Sequence, residues 1–217
     1  MTGAQAITKE VYEDPRVVRA FQEAGGKSAG RLEAFARSLL GKRLIDIGCG
    51  PGVDACRFAA LGLEVTAVDY SEAMIQAAQA TSTAAANPPR FAVLDMRYVG
   101  QAFPENAFDG AWVCASLLHI PEPDVPVVLA GLHRILTPGG RAHISLKGGP
   151  QGAALVTEHK HGREIQREFV FWEREAFEAR LILAGFRVVG YETGVKGTTG
   201  GQPTQWLQFT VEAEKPP

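Results

Sequence analysis

Cysteine is scarce in this 217-residue chain, which has only Cys49, Cys56 and Cys114. An odd count without a CxxC pair argues against a disulfide framework and a zinc finger, and fits reduced thiols. Positive charge is not in surplus: 22 Lys+Arg against 24 Asp+Glu leave a formal net charge of −2. A protein that grips nucleic-acid phosphates needs a basic surface, so no nucleic-acid partner is expected. No apolar run approaches the roughly 18 residues that a membrane-spanning helix needs, so no membrane partner is expected either. The opening MTGAQAITKEVYED lacks the basic and apolar regions of a secretory signal, and a cytoplasmic location is the expectation. Internal repeats and low-complexity blocks are absent.

What is present is an ordinary core-forming composition, 46% hydrophobic and 21% charged, enough for one α/β domain. Strand and helix patterns alternate. Two helices are expected over 15–24 and 27–40, broken at Gly25-Gly26. Residues 1–40 are read as a helical cap and lid, and 41–213 as the main body. Short apolar runs predict strands at 44–48, 63–69, 90–95, 108–116 and 141–147. Helices are expected between them, over 53–61, from Ser71 to about 80, and from Asp124 to Leu136. A further helix spans 173–184, and two last strands cover 187–192 and 204–213. With no helix between those two, they should be antiparallel neighbours. Such alternation implies a mostly parallel sheet covered on both faces, with ligands at the carboxyl ends of its strands.

Three motifs fall at such ends. Asp46-Ile47-Gly48-Cys49-Gly50-Pro51-Gly52 lies between a strand and a helix. Its glycines permit a tight turn and close approach of a ligand, and the following helix offers free N–H groups. The spacing is GxGxG and position 53 is valine, so the dinucleotide fingerprint GxGxxG is incomplete. That disfavours a nicotinamide dehydrogenase. Asp69 ends the second strand, where a carboxylate can accept from both hydroxyls of a ribose; it can equally cap the next helix. Asp95-Met96-Arg97 ends the third. There a carboxylate can accept from an adenine amino group while Met96 covers the ring, or it can simply pair with Arg97.

Taken in order, LIDIGCGPG, VTAVD, VLDM, FDGAWVCASLLHI and LHRILTPGGRAHISLK resemble the class I S-adenosylmethionine-dependent methyltransferases. The similarity is greatest to the bacterial small-molecule group. It implies a Rossmann-like three-layer α/β sandwich whose seven-stranded sheet runs 3-2-1-4-5-7-6, strand 7 antiparallel. It also implies S-adenosylmethionine as cofactor, S-adenosylhomocysteine as product, and no metal. Gly48, Gly50 and Gly52, with Cys49 between them, become the loop under the methionine moiety, and Asp46 helps hold its ammonium. Asp69 takes the ribose hydroxyls, Tyr70 flanks the adenine, and Asp95 and Met96 contact it. Cys114 to His119 form the floor beside the sulfonium.

The expected reaction is transfer of a methyl group to an O, N or other nucleophile of a small molecule. The alternatives are a methyltransferase acting on RNA or protein, and a non-catalytic cofactor-binding scaffold. After the fourth strand the chain reads Ala115-Ser116-Leu117-Leu118-His119, without the Asn/Asp-Pro-Pro-aromatic motif of enzymes that methylate amino groups of adenine or glutamine. A sulfonium has a neutral leaving group, so catalysis is mainly alignment, and a base matters only for an acceptor that carries a proton. His119 is the candidate base; otherwise it packs in the loop before Pro121. Candidate substrate contacts are Tyr12 and Phe21, as an aromatic lid, with Lys147 and Arg167 for an anionic group.

Overall fold

Arg43–Ile47 is buried at four of its five positions, the pattern of a strand covered on both faces rather than one. That strand sits at the middle of the sheet. The computed structural model describes residues 3–24, 29–82, 87–160 and 163–215. In chain order the elements are α1 (Gly3–Glu13), α2 (Pro15–Glu23), α3 (Ala29–Arg37), β1 (Arg43–Ile47), α4 (Val53–Ala60), β2 (Glu64–Asp69), α5 (Glu72–Ser82) and β3 (Arg90–Val93). Then come α6 (Val99–Ala102), β4 (Phe108–Cys114), α7 (Val125–Ile135), β5 (Leu136–Gly148), β6 (Gly152–Lys160), β7 (Arg163–Trp172), α8 (Arg174–Leu183), β8 (Phe186–Thr199) and β9 (Gln202–Ala213).

The main path of the sheet runs β3-β2-β1-β4-β5-β9-β8, with β9 antiparallel to both neighbours. Counting only those seven strands, this is the expected 3-2-1-4-5-7-6 order. Helices flank both faces. One core lies under α7 and α8 and includes Trp172, Phe177 and Phe209. The other lies under α3 and α4 and holds Leu32, Phe35, Phe58 and Trp112.

The β6–β7 hairpin was not expected, and it branches from β5. All of Arg141–Gly148 pairs with β9 along one edge of β5. The opposite edge pairs with β4 only as far as Cys114 against Ser145. Beyond that, Lys147 and Gly148 pair with Phe171 and Trp172 of β7. One edge can hold one partner at a time, so β7 takes the place that β4 vacates. The hairpin therefore stands above the carboxyl end of β4, where the ligand site of such a sheet lies.

α1 is a second unforeseen element. Its buried residues are Gln5, Thr8 and Val11, too polar a face to show as apolar periodicity. α1 packs on β7 and α5, α2 packs on α5, and α3 joins the layer of α4. The two parts of residues 1–40 thus lie in different places. The expected break at Gly25-Gly26 lies outside the described residues. Among the described residues no helix is long and apolar enough to cross a membrane.

Candidate functional site

The β1–α4 turn takes its shape from three glycines with positive φ: Gly48 (75°), Gly50 (54°) and Gly52 (79°). A Cβ on Gly48 would lie 2.2 Å from the Cβ of Ser116, whose hydroxyl donates to the Ile47 carbonyl at 2.7 Å. Nothing stands within 4 Å of a Cβ built on Gly50, so that glycine faces open space. Its N–H donates to Asp69 Oδ2 at 2.9 Å, and the Ser71 N–H donates to Oδ1 at 2.9 Å. Asp69 thereby ties the turn to the end of β2, and each oxygen keeps a lone pair for a ligand.

A pocket opens over these strand ends. Its floor includes Asp46, Gly48, Cys49, Gly50 and Asp69; Tyr70, Asp95 and Met96 line one side. Cys114, Ser116, His119 and Ile120 line the other, and Gln5, Thr8, Tyr12 and Phe21 cover it. Twelve of the fifteen residues singled out from sequence therefore meet in one cavity. Three do not line it. Gly52 lies where α4 passes α5 and β3: a Cβ there would come within 2.8 Å of Ala78 and 2.9 Å of Phe91. Lys147 is buried over the Phe169 ring, 4.1 Å from its centroid, and donates to the Thr199 hydroxyl. Arg167 stands behind Tyr12. Asp54, Met74 and Trp112 also border the pocket and were missed. Asp54 accepts from the Trp112 indole at 3.1 Å.

The acidic rim is electrostatically crowded. Burial pushes the Asp46 carboxyl well above the usual range, and the charges of Asp54 and Asp69 push it further. Asp46 Oδ2 is buried with no hydrogen-bond partner. Burial raises Asp69 to about 6 against the pull of its backbone N–H partners. At Asp95 burial works upward, but Arg97 wins and the carboxyl is lowered. Arg97 reaches it through its N–H at 3.0 Å and its guanidinium at 2.5 Å, so the pairing foreseen as an alternative is present.

The last turn of α1 brings Tyr12 to His119. Ser71 donates to the Tyr12 carbonyl at 3.0 Å, and the Glu13 carboxylate accepts from the Glu72 and Ala73 N–H groups at the start of α5. The Tyr12 hydroxyl lies 2.8 Å from His119 Nε2, and His119 Nδ1 lies 2.7 Å from the Glu168 carbonyl oxygen. A carbonyl only accepts, so Nδ1 carries the proton. Burial holds the imidazole neutral, with its pKa lowered to about 3. Nε2 is then bare and accepts from Tyr12. Arg167 Nη1 donates to the Tyr12 oxygen at 3.1 Å and Nη2 to Glu158 at 2.5 Å. In an NMR pH titration the His119 imidazole is expected to stay neutral down to about pH 4. Protonation above pH 5 would contradict this arrangement.

Residues 44–140 match the model of a family described as "Methyltransferase domain". The chain is similar to O-methyltransferase resE of Aspergillus sclerotiorum, 28% identical over 62% of this chain and 50% of that protein. It is 26% identical to O-methyltransferase rstn1 of Aspergillus nomiae, over 87% of this chain and 83% of that one. The structure resembles Burkholderia thailandensis 1,6-didemethyltoxoflavin-N1-methyltransferase, solved with 1,6-didemethyltoxoflavin and S-adenosylhomocysteine, with a TM-score of 0.73. The two are 25% identical, and the match covers 97% of this chain and 87% of that one. The chain spans about half the length of several curated relatives it matches.

Proposed function

We propose that the chain, which matches a methyltransferase-domain family over residues 44–140, is a class I S-adenosylmethionine-dependent methyltransferase and moves the methyl group of S-adenosylmethionine to a nucleophilic atom of a small molecule. The observation that carries this reading is the acidic rim. A buried carboxylate oxygen on Asp46 without a partner, beside Asp54 and Asp69, suits a ligand that brings positive charge. The cofactor has an ammonium and a sulfonium. Asp46 would hold the ammonium, Gly48, Cys49 and Gly50 would pass beneath the methionine chain, and Asp69 would accept from the ribose. Tyr70 and Met96 would flank the adenine, with the Arg97-held Asp95 at its edge, and Cys114 would border the sulfonium.

When bound, the cofactor supplies an activated methyl group and a neutral thioether leaving group. The protein aligns the acceptor with that methyl and excludes water. For a hydroxyl acceptor, Tyr12 and His119 provide the path for the proton. The Tyr12 oxygen receives it while the phenol proton passes to the bare Nε2 of His119, 2.8 Å away. Residues 3–24 act as the cover of this site. The relatives named as O-methyltransferases support an oxygen acceptor.

Calorimetry with S-adenosylmethionine, S-adenosylhomocysteine, NAD and NADP tests the assignment. Both sulfur compounds are expected to bind and the nicotinamides not to. Binding of NAD with no response to S-adenosylhomocysteine would overturn it.

A further inference from the structure

From the charge accounting around the acceptor end of the pocket, and resting on the methyltransferase reading, we infer that the acceptor is an uncharged molecule carrying a hydroxyl, which it presents to the Tyr12 oxygen. Among the described residues that border this end are Gln5, Thr8, Tyr12, Phe21, His119 and Ile120. None is an acid, a lysine or an arginine. Four nearby cations have anionic or hydroxyl partners of their own, and a fifth, Lys9, sits beside Tyr70, 6.0 Å from its ring centroid. Arg167 and Glu158 form an ion pair with side chains only 10% and 4% exposed. Lys147 donates to Thr199, which bonds Thr204 at 2.6 Å. Arg163 pairs with Asp14, and Arg97 with Asp95 and Asp124. His119 is a neutral tautomer fixed on both sides. A carboxylate entering here would lose its hydration without an opposite charge among the residues bordering this end, and an ammonium would find the pocket acid that acts on Tyr12, Asp69, already held by the Gly50 and Ser71 N–H groups.

Hydrogen-bond inventory adds the second half. Thr8 donates to the Ala4 carbonyl at 3.0 Å and accepts from the Glu168 N–H at 2.8 Å, so its proton is committed. Tyr12 donates to His119 and accepts from Arg167. A phenolic oxygen has two lone pairs, so one remains and it can only accept. It suits an incoming O–H and gives nothing to an anion. The aromatic walls around it suit a flat molecule: Tyr12 meets Phe21 edge-on at 5.8 Å and Tyr70 at 6.4 Å.

The test uses protein saturated with S-adenosylhomocysteine and three probes of one size at pH 7: phenol, benzoate and benzylamine. Phenol is expected to bind at least tenfold tighter than either ion. Tyr12→Phe, which keeps the ring, is expected to reduce that preference to less than threefold. Equal or tighter binding of benzoate or benzylamine overturns the inference, and so does binding of none of the three. Should Tyr12→Phe fold poorly, the three-probe comparison on the parent decides alone. Failure of S-adenosylhomocysteine to bind in the first step would instead strike the methyltransferase reading.

Discussion

Asp69→Ala is expected to weaken S-adenosylhomocysteine binding by about 10- to 150-fold for each ribose hydrogen bond lost, since bonds to a charged group are worth about 1.5–3 kcal/mol. The same substitution should remove a pH dependence. In the free protein Asp69 is held at about 6 by burial. Ribose hydroxyls favour its ionised form, so binding below that value must displace a proton. Affinity of the parent should therefore fall as pH drops through 6, approaching tenfold per unit, and that fall should be missing from the alanine variant. Isothermal titration from pH 5 to 8 measures both effects. A loss under threefold would take Asp69 out of the ribose role, and equal slopes would assign the proton to another group, with Asp46 first in line.

Arg167→Met should have the largest effect on stability. It leaves Glu158 as a buried charge without its guanidinium, a change that costs about 3–5 kcal/mol in comparable pairs. For a chain of this size that is a drop in melting temperature of about 6–20 °C. Replacing both partners, Glu158→Leu with Arg167→Met, should recover most of the loss because no lone charge remains. If the double variant melts no higher than the single one, the pair is not the source of the effect. Differential scanning calorimetry of the three proteins distinguishes these outcomes.

The parts of the site legible in sequence are those set by local chemistry. A short apolar run closed by Gly48 and Gly50, with an aspartate at the end of each of the next two strands, has few uses other than a ligand-binding edge. The seven main strands were legible for the same reason: buried parallel strands read as apolar runs between helical patterns. The β6–β7 hairpin shows no charged–apolar alternation, since Arg163-Glu164 and Arg167-Glu168 are adjacent charged pairs, and two of its buried positions are Glu158 and Arg167. A buried ion pair looks like surface until its partners are seen. Arg167 and Lys147 are expected from sequence to meet an anionic group, since each lies near the loop after the fifth strand. Their partners, Glu158, Tyr12 and Thr199, come from separate strands and a helix, and no spacing rule links them. Tyr12 was picked for its aromatic ring, but its meeting with His119 is a contact across 107 positions. Only the fold could reveal it.

The branching of β5 also bears on the order in which the chain acquires its shape. During synthesis the edge of β5 that receives β9 stays open until residues 205–212 have emerged. An unpaired strand edge of that length is a template for association with other chains. Pairing of β9 with the end of β8 sets Thr199 and Trp206 against Lys147, and a Cβ on Gly200 in the turn between them would come within 3.1 Å of Val156 of β6. Closure of the sheet and the backing of the hairpin over the pocket thus arrive together, with the last strand. A nascent chain halted before β9 would carry the complete acidic rim on an open-edged sheet, with Trp206 not yet beside Lys147.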